Sequence, residues 1–395
     1  MRRLLLLVAV LVFVDTMLYA ALTPLVPHFT HELGLSKLRA GILVAAYPAG
    51  ALIGGLPGGG AAARLGPRRA VLVGLVGMSL ASLGFALAGS FWTLFAARLV
   101  QGLGSAFTWA GAFAWLLAAA PRERRGQLIG SALGAAVFGA IFGPVIGAAA
   151  ALAGRGPIFA ALAGLGVLLI VATLRLEPAP VEHPSAAAIV RALRDFRFGA
   201  GLVLMVLASL VFGVLSVLGP LHLSAAGWGA AGIGGVWLVG AAFETVGAPL
   251  MGRLLDVRGR LLPVRVLLAV GAALMLGLAS GPRPLFYVPL IVVSAAVFGT
   301  VFTPAFALIA DGAESVGLAQ GMAFGIMSAA WATGAFIGPA AGGAIAGATG
   351  DWIPFVLCAA VCASALAFGR AASDDVRAAV VVDRLAGDSA GVGGK

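Results

Sequence analysis

The sequence predicts an all-α integral membrane protein, with twelve transmembrane helices in two six-helix bundles related as parallel repeats. Three observations predict it. First, of the 395 residues 61% are hydrophobic and 10% charged, where an ordinary globular domain carries about 25% charged residues, and the mean hydropathy is +1.09. Second, apolar runs close to the roughly 20 residues that cross a bilayer recur with little between them. Third, one glycine–proline pattern occurs twice, 195 positions apart. A soluble fold could not bury that much apolar surface. The 58 Gly show no collagen-like period, and the two cysteines, Cys358 and Cys362, share a helix face as small packing residues.

In chain order the apolar runs lie near 4–27, 39–61, 70–89, 91–119, 126–153, 157–175, 198–221, 229–252, 262–281, 284–310, 316–347 and 352–370. They are continuous rather than alternating, which argues against β-barrel strands. Arg2-Arg3 ahead of Leu4–Val14 resembles a secretory signal. Asp15 and the apolar stretch on to Pro27 favour an uncleaved first span. Placing the N-terminus in the cytoplasm puts 20 of the 25 basic residues on cytoplasmic segments and four, Lys37, Arg39, Arg155 and Arg283, outside. That asymmetry predicts a multi-pass protein of the inner cell membrane with both termini cytoplasmic. The net charge of +10 has the same origin. It sits in clusters such as Arg122/Arg124/Arg125 between spans, with no basic face interleaved with aromatics, so no nucleic-acid partner is expected.

The polar connector 176–197, with Pro178, Pro180 and Pro184, divides the chain into an N-terminal bundle, 1–175, and a C-terminal one, 198–371; a cytoplasmic tail, 372–395, follows. Gly130, Gly139, Gly143, Pro144 and Gly147 recur as Gly325, Gly334, Gly338, Pro339 and Gly342. Small residues at four-residue spacing let membrane helices approach closely. Parallel repeats of six spans are one way secondary transporters are built, with the substrate path between the halves.

Four local patterns carry a further likeness. The segment 59–69 reads Gly59, Ala63, Arg64, Gly66, Arg68, Arg69, and its second-half counterpart Gly252, Asp256, Gly259, Arg260. The fourth span holds Arg98, Gln101 and Gly102. The fifth and eleventh hold the repeated glycine–proline pattern. The first holds Asp15 followed by Pro24 and Pro27. Over essentially its full length the chain resembles the major facilitator superfamily, and within it the twelve-span drug:proton antiporters. The resemblance implies that the 59–69 and 252–260 segments are gating loops that latch the cytoplasmic side. It also implies that the fifth-span glycine pattern marks an exporter. Ala63 departs from the acid the family favours at that position.

Three normally charged residues fall inside spans away from their ends: Asp15, Arg98 and Glu244. Intramembrane ionisable residues are functional candidates by default. Tyr19 shares the face of Asp15, Trp237 that of Glu244, and Arg98, Gln101, Gly102, Ser105 and Trp109 form one polar stripe. Arg98 is expected to pair with Asp15. The proton and substrate site is therefore expected at Asp15, Tyr19, Arg98, Gln101, Trp237 and Glu244. His28, His31 and Glu32 read as an ordinary external loop rather than a metal site. No phosphate-binding loop or nucleophile–base pair is recognisable, so neither an enzyme nor a cofactor is expected.

The expected function is proton-coupled export of small lipophilic or cationic molecules by alternating access, from a monomer in the lipid bilayer. The chain has no Asn and three Gln, Gln101, Gln127 and Gln320, which makes a sugar or metabolite porter of the same fold the alternative. A non-transporting receptor or scaffold would need longer external loops or an added domain.

Overall fold

A computed structural model describes residues 2–120, 125–178, 186–258, 261–281, 283–318 and 320–367. Gly259, Arg260, Arg122, Arg124 and the segment 372–395 lie outside the described residues, as does part of the 176–197 connector.

Every regular element described is helical. The chain opens with α1 (Arg2–Ala20), a short 3₁₀ turn at Thr23–Leu25 and α2 (Val26–Leu33). Next come α3 (Lys37–Arg64), α4 (Pro67–Leu87), α5 (Phe91–Ala119), α6 (Arg125–Ala153) and α7 (Arg155–Leu174). The short α8 (Ala186–Arg194) leads into α9 (Phe196–Ala225), α10 (Ala230–Arg258), α11 (Leu261–Ala279), α12 (Pro284–Ser315) and α13 (Gln320–Thr349). A last apolar helix, α14, covers Trp352–Ala367. Eleven helical segments among the described residues are long and apolar enough to cross a membrane, with α1 and α2 counted together. α14 is a shorter apolar helix.

Local chemistry accounts for the breaks. Pro24 has no N–H to offer the Ala20 carbonyl, so α1 stops there and the chain passes through the 3₁₀ turn. Ser36 caps α3 by accepting from Arg39 N at 3.3 Å, and Asp195 caps α9 by accepting from Arg197 N and Phe198 N, both at 3.0 Å. Ser90 and Thr93 form a capping box at α5.

The connection between α3 and α4 is much shorter than expected. Only Leu65 and Gly66 separate the two helices, and Gly66 takes φ 93°, a conformation that suits glycine. Gly59, Ala63 and Arg64 are helical, and Gly252 and Asp256 lie within α10. The expected loop conformation is corrected to helix over 59–64, 67–69 and 252–258, where alanine- and leucine-rich sequence carries α3 and α10 past the bilayer-length run. His28, His31 and Glu32 likewise sit on α2 rather than in a loop, and no group of three metal-ligating side chains occurs among the described residues.

α3 packs on α5 and α13, α5 on α4, α4 on α7 and α1 on α6. α9 packs on α12 and α13, α12 on α10 and α11, and α10 on α6. The glycine pattern lies at two of these contacts. A Cβ on Gly139, Gly143 or Gly147 would strike the α1 segment at Phe13, Ala20 or Ala21, and one on Gly334, Gly338 or Gly342 would strike α9 at Val206, Leu210 or Val214. Gly130 and Gly325 do not belong to this packing, since a Cβ there meets nothing within 4 Å. Large apolar side chains such as Leu56, 91% exposed, cover the periphery. That is where lipid replaces water as solvent.

Candidate functional site

α1, α3, α5, α6, α9, α10, α12 and α13 all contribute to one central cavity of about 310 Å³, within the usual range of ligand pockets. Asp15, Tyr19, Arg98, Trp237 and Glu244 line it, so five of the six residues expected at the site converge there.

Asp15 is 2% exposed. Its Oδ2 accepts hydrogen bonds from Trp109 Nε1 at 2.6 Å, Tyr47 OH at 2.9 Å and Ser105 Oγ at 2.9 Å, while its Oδ1 is buried without a partner. Ser105 and Trp109 come from the polar stripe of α5, and Tyr47 comes from α3.

The expected pairing of Asp15 with Arg98 does not form as an ion pair: Asp15 takes its donors from Trp109, Tyr47 and Ser105. Arg98 uses Nη1 on Leu18 O at 3.2 Å and on Gln101 Oε1 at 2.6 Å, and Nη2 on Tyr19 O at 3.4 Å. The break at Ala20 explains this. Carbonyls at the end of α1 lack helical donors, and a guanidinium satisfies them while facing the negative end of the helix dipole. Tyr47 bridges the two residues. Its hydroxyl reaches Asp15, and its ring centroid lies 4.9 Å from the Arg98 guanidinium carbon. Gln101 does not reach the cavity; it orients Arg98.

Glu244 lines the same cavity from α10. It sits where α10 crosses α12, its carboxyl filling the space a side chain would need at Gly299. No hydrogen bond or ion pair engages it among the described residues. The small residues on its face do both things such residues can do: Gly240 and Gly247 pack on Ala295 and Thr300 of α12, and Ala241 opens on the cavity. Trp237 closes against Gly219 of α9.

The remaining wall is aromatic. Trp109, Phe113 and Phe324 stack, with centroids 5.5 Å apart for the first pair and 4.3 Å for the second, and Tyr19 meets Trp331 edge-on at 5.3 Å. Tyr47, Phe113, Phe324 and Trp331 were not singled out in the sequence. A signal did exist for Tyr47: the chain has three tyrosines, and two of them, Tyr19 and Tyr47, are at this site.

Away from the cavity, Arg68 Nη2 donates to Leu174 O at 2.7 Å, tying α4 to the end of α7. Lys37 Nζ lies 2.5 Å from Asp351 Oδ1, tying the start of α3 to the residue before α14. Arg155 bonds Glu32 at 2.8 Å.

The Major Facilitator Superfamily model matches residues 8–323. The chain belongs to this superfamily. It is therefore a multi-pass membrane transporter and not an enzyme. An uncharacterized MFS-type transporter of Yersinia pestis (strain Pestoides F) is 28% identical over 284 residues, covering 69% of this chain and 72% of that one. The uncharacterized MFS-type transporter YcaD of Escherichia coli O139:H28 is 27% identical over 283 residues, with the same coverage. Among solved structures, a D-xylose–proton symporter superposes with a TM-score of 0.72 at 15% identity, covering 93% of this chain and 96% of that one. The xylose transporter XylE from E. coli, partially occluded and inward open, gives 0.70 at 14% identity, covering 92% and 98%. At these identities the likeness is one of fold.

Proposed function

We propose that this transporter exports small lipophilic or cationic molecules in exchange for protons, by alternating access of two six-helix bundles, 1–175 and 198–371. Twelve spans, with α14 as the last, and cytoplasmic termini belong to the same reading.

One observation carries it: the two acids within spans, Asp15, buried, and Glu244, half-buried, line a single cavity whose other walls are largely aromatic and aliphatic. A carboxyl in such a cavity can hold a proton or attract a cation, but not both at once. Stacked rings such as Trp109, Phe113 and Phe324 suit flat apolar substrates and add cation–π attraction. Asp15 belongs to the N-terminal half and Glu244 to the C-terminal half, so rocking of the halves would change the environment of each. The pairs α1–α6 and α9–α13, each built on the glycine pattern, support corresponding halves.

A second reading is sugar–proton symport. The fold shared with the xylose symporters and the hydroxyl and indole groups of Ser209, Ser216, Ser328, Trp237 and Trp331 favour it. The cavity lining includes neither Asn nor Gln among the described residues, which favours export of less polar compounds.

A growth-inhibition panel on cells lacking their own exporters tests the choice. Expression of the chain should raise tolerance to lipophilic cations. Unchanged tolerance across the panel, with proton-dependent sugar uptake gained, would select the second reading.

A further inference from the structure

The connector helix α8 and the first residues of α9 carry two interleaved series at three-residue spacing. Val190, Leu193 and Phe196 are apolar, and each is followed by an arginine: Arg191, Arg194 and Arg197. All six side chains are exposed, the apolar three by 49%, 54% and 69%. At 100° per residue, Val190 and Leu193 form one band on α8, and Arg191 and Arg194 form the band beside it. Phe196 and Arg197 extend the pattern into the first turn of α9. Ala188 and Ala192, on the remaining side, are buried. α8 therefore rests on the protein through its alanines and turns outward a face that is half apolar and half basic.

The charge on that face is not balanced by the protein. Asp195 is the one acid within 186–197, and its carboxylate is engaged in capping α9 through Arg197 N and Phe198 N. Among the described residues no carboxylate stands within ion-pair distance of Arg191, Arg194 or Arg197. Arg191 Nη2 reaches the Val316 carbonyl at 3.5 Å, a long contact.

A bilayer surface supplies what both bands lack. The membrane-length helix α9 starts at Phe196, one residue beyond the end of α8 and its Asp195 linker, so α8 lies where the chain enters the lipid. At that depth apolar side chains reach the acyl boundary while charged heads stay among the phosphates. A guanidinium pairs two phosphate oxygens with its planar fork. Zwitterionic headgroups offset that phosphate with their own cation, and anionic ones leave it available to the arginines.

We propose that α8 and the first turn of α9 form an anchor for anionic phospholipid, with Val190, Leu193 and Phe196 dipping into the acyl boundary and Arg191, Arg194 and Arg197 holding the headgroup phosphates. α8 packs on α9, and α9 packs on α12 and α13. The anchor thus sets the depth at which the second half sits in the bilayer. It holds whatever the cavity carries and in whichever direction.

The full chain, with a nitroxide at Val190→Cys or Leu193→Cys, is reconstituted in phosphatidylcholine vesicles with and without phosphatidylglycerol. Cys358 and Cys362 are buried and leave little background label. Oxygen and a water-soluble nickel chelate report which side of the interface each label occupies. With phosphatidylglycerol present, both labels should be reached by oxygen and shielded from the chelate. Without it, or in high salt, they should lift into water. Replacing Arg191, Arg194 and Arg197 by Gln, one at a time and together, should lower the ratio of inserted to lifted label about fivefold per arginine. These side chains are exposed, so the variants should fold, and the change of lipid gives the same reading with no arginine altered. Labels that stay in water in both lipids overturn the proposal, as they would if a protein partner covered this face. Labels inserted equally with and without phosphatidylglycerol, and indifferent to loss of the arginines, overturn the anionic-lipid assignment.

Discussion

Gly102 sits where α5 crosses α3, and its replacement by alanine tests how the crossing holds the site. A Cβ there would overlap the Tyr47 carbonyl oxygen, well inside van der Waals contact, and would also crowd Ala51 N. The obstruction is backbone, so no side chain can swing aside. Gly50 faces the Leu99 carbonyl just as tightly from the other helix. Overpacking of this kind costs about 1–3 kcal/mol. Alanine in place of glycine within a helix returns about 0.5–1 kcal/mol. The net expectation is a loss of about 1–2 kcal/mol. Gly130→Ala is the internal control: a Cβ there meets nothing within 4 Å, so only the gain remains. Thermal unfolding in detergent, followed by tryptophan fluorescence, should rank Gly130→Ala above wild type and Gly102→Ala below it. Tyr47 would be displaced with the crossing, so Gly102→Ala should also lose transport. Equal midpoints for the two variants would refute the close-contact account of the α3–α5 crossing.

Other consequences are as direct. Gly143→Leu would push α6 off α1 at Ala20 and Met17, and should abolish export or dissipate the proton gradient of energised vesicles; unchanged values of both would show that the contact tolerates bulk. Glu244→Gln preserves shape and removes charge, so efflux of cationic substrates should fall at least tenfold relative to neutral ones; equal loss of both classes would leave Glu244 a structural acid. For topology, Ser185→Cys should resist an impermeant thiol reagent in intact cells while Arg283→Cys reacts. The native Cys358 and Cys362 are buried and should contribute little background. Labelling of Ser185→Cys from outside would invert the orientation.

Composition and run length made the helical membrane class readable from sequence, because nothing else accommodates 61% hydrophobic residues in continuous runs. Charge inside an apolar run singled out Asp15, Arg98 and Glu244, and all three line the cavity. Their partners were harder to read. In lipid both faces of a helix are apolar, so periodicity does not reveal which face turns inward. Phe113 and Phe324 look like any other apolar position until the helices are packed. The Asp15–Arg98 pairing was the natural expectation for opposite charges in lipid. It missed the competing acceptors that Pro24 creates by ending α1, whose free carbonyls take Arg98. The glycine pattern was legible as a packing device because small residues at four-residue spacing have few other uses in a membrane. That Gly130 and Gly325 lie outside the contact is a matter of where α1 and α9 cross, which spacing alone does not encode.

The central claim is exchange of protons for substrate at Asp15, and proteoliposomes carrying a pH-reporting dye in their lumen test it most directly. A lipophilic cation identified by the growth panel is added outside, and its uptake and the luminal pH are followed together. The account predicts that protons leave as the cation enters, and that Asp15→Asn abolishes this proton movement while the protein stays inserted. Protons moving in the same direction as the substrate, or substrate accumulation with no proton movement at all, would contradict it.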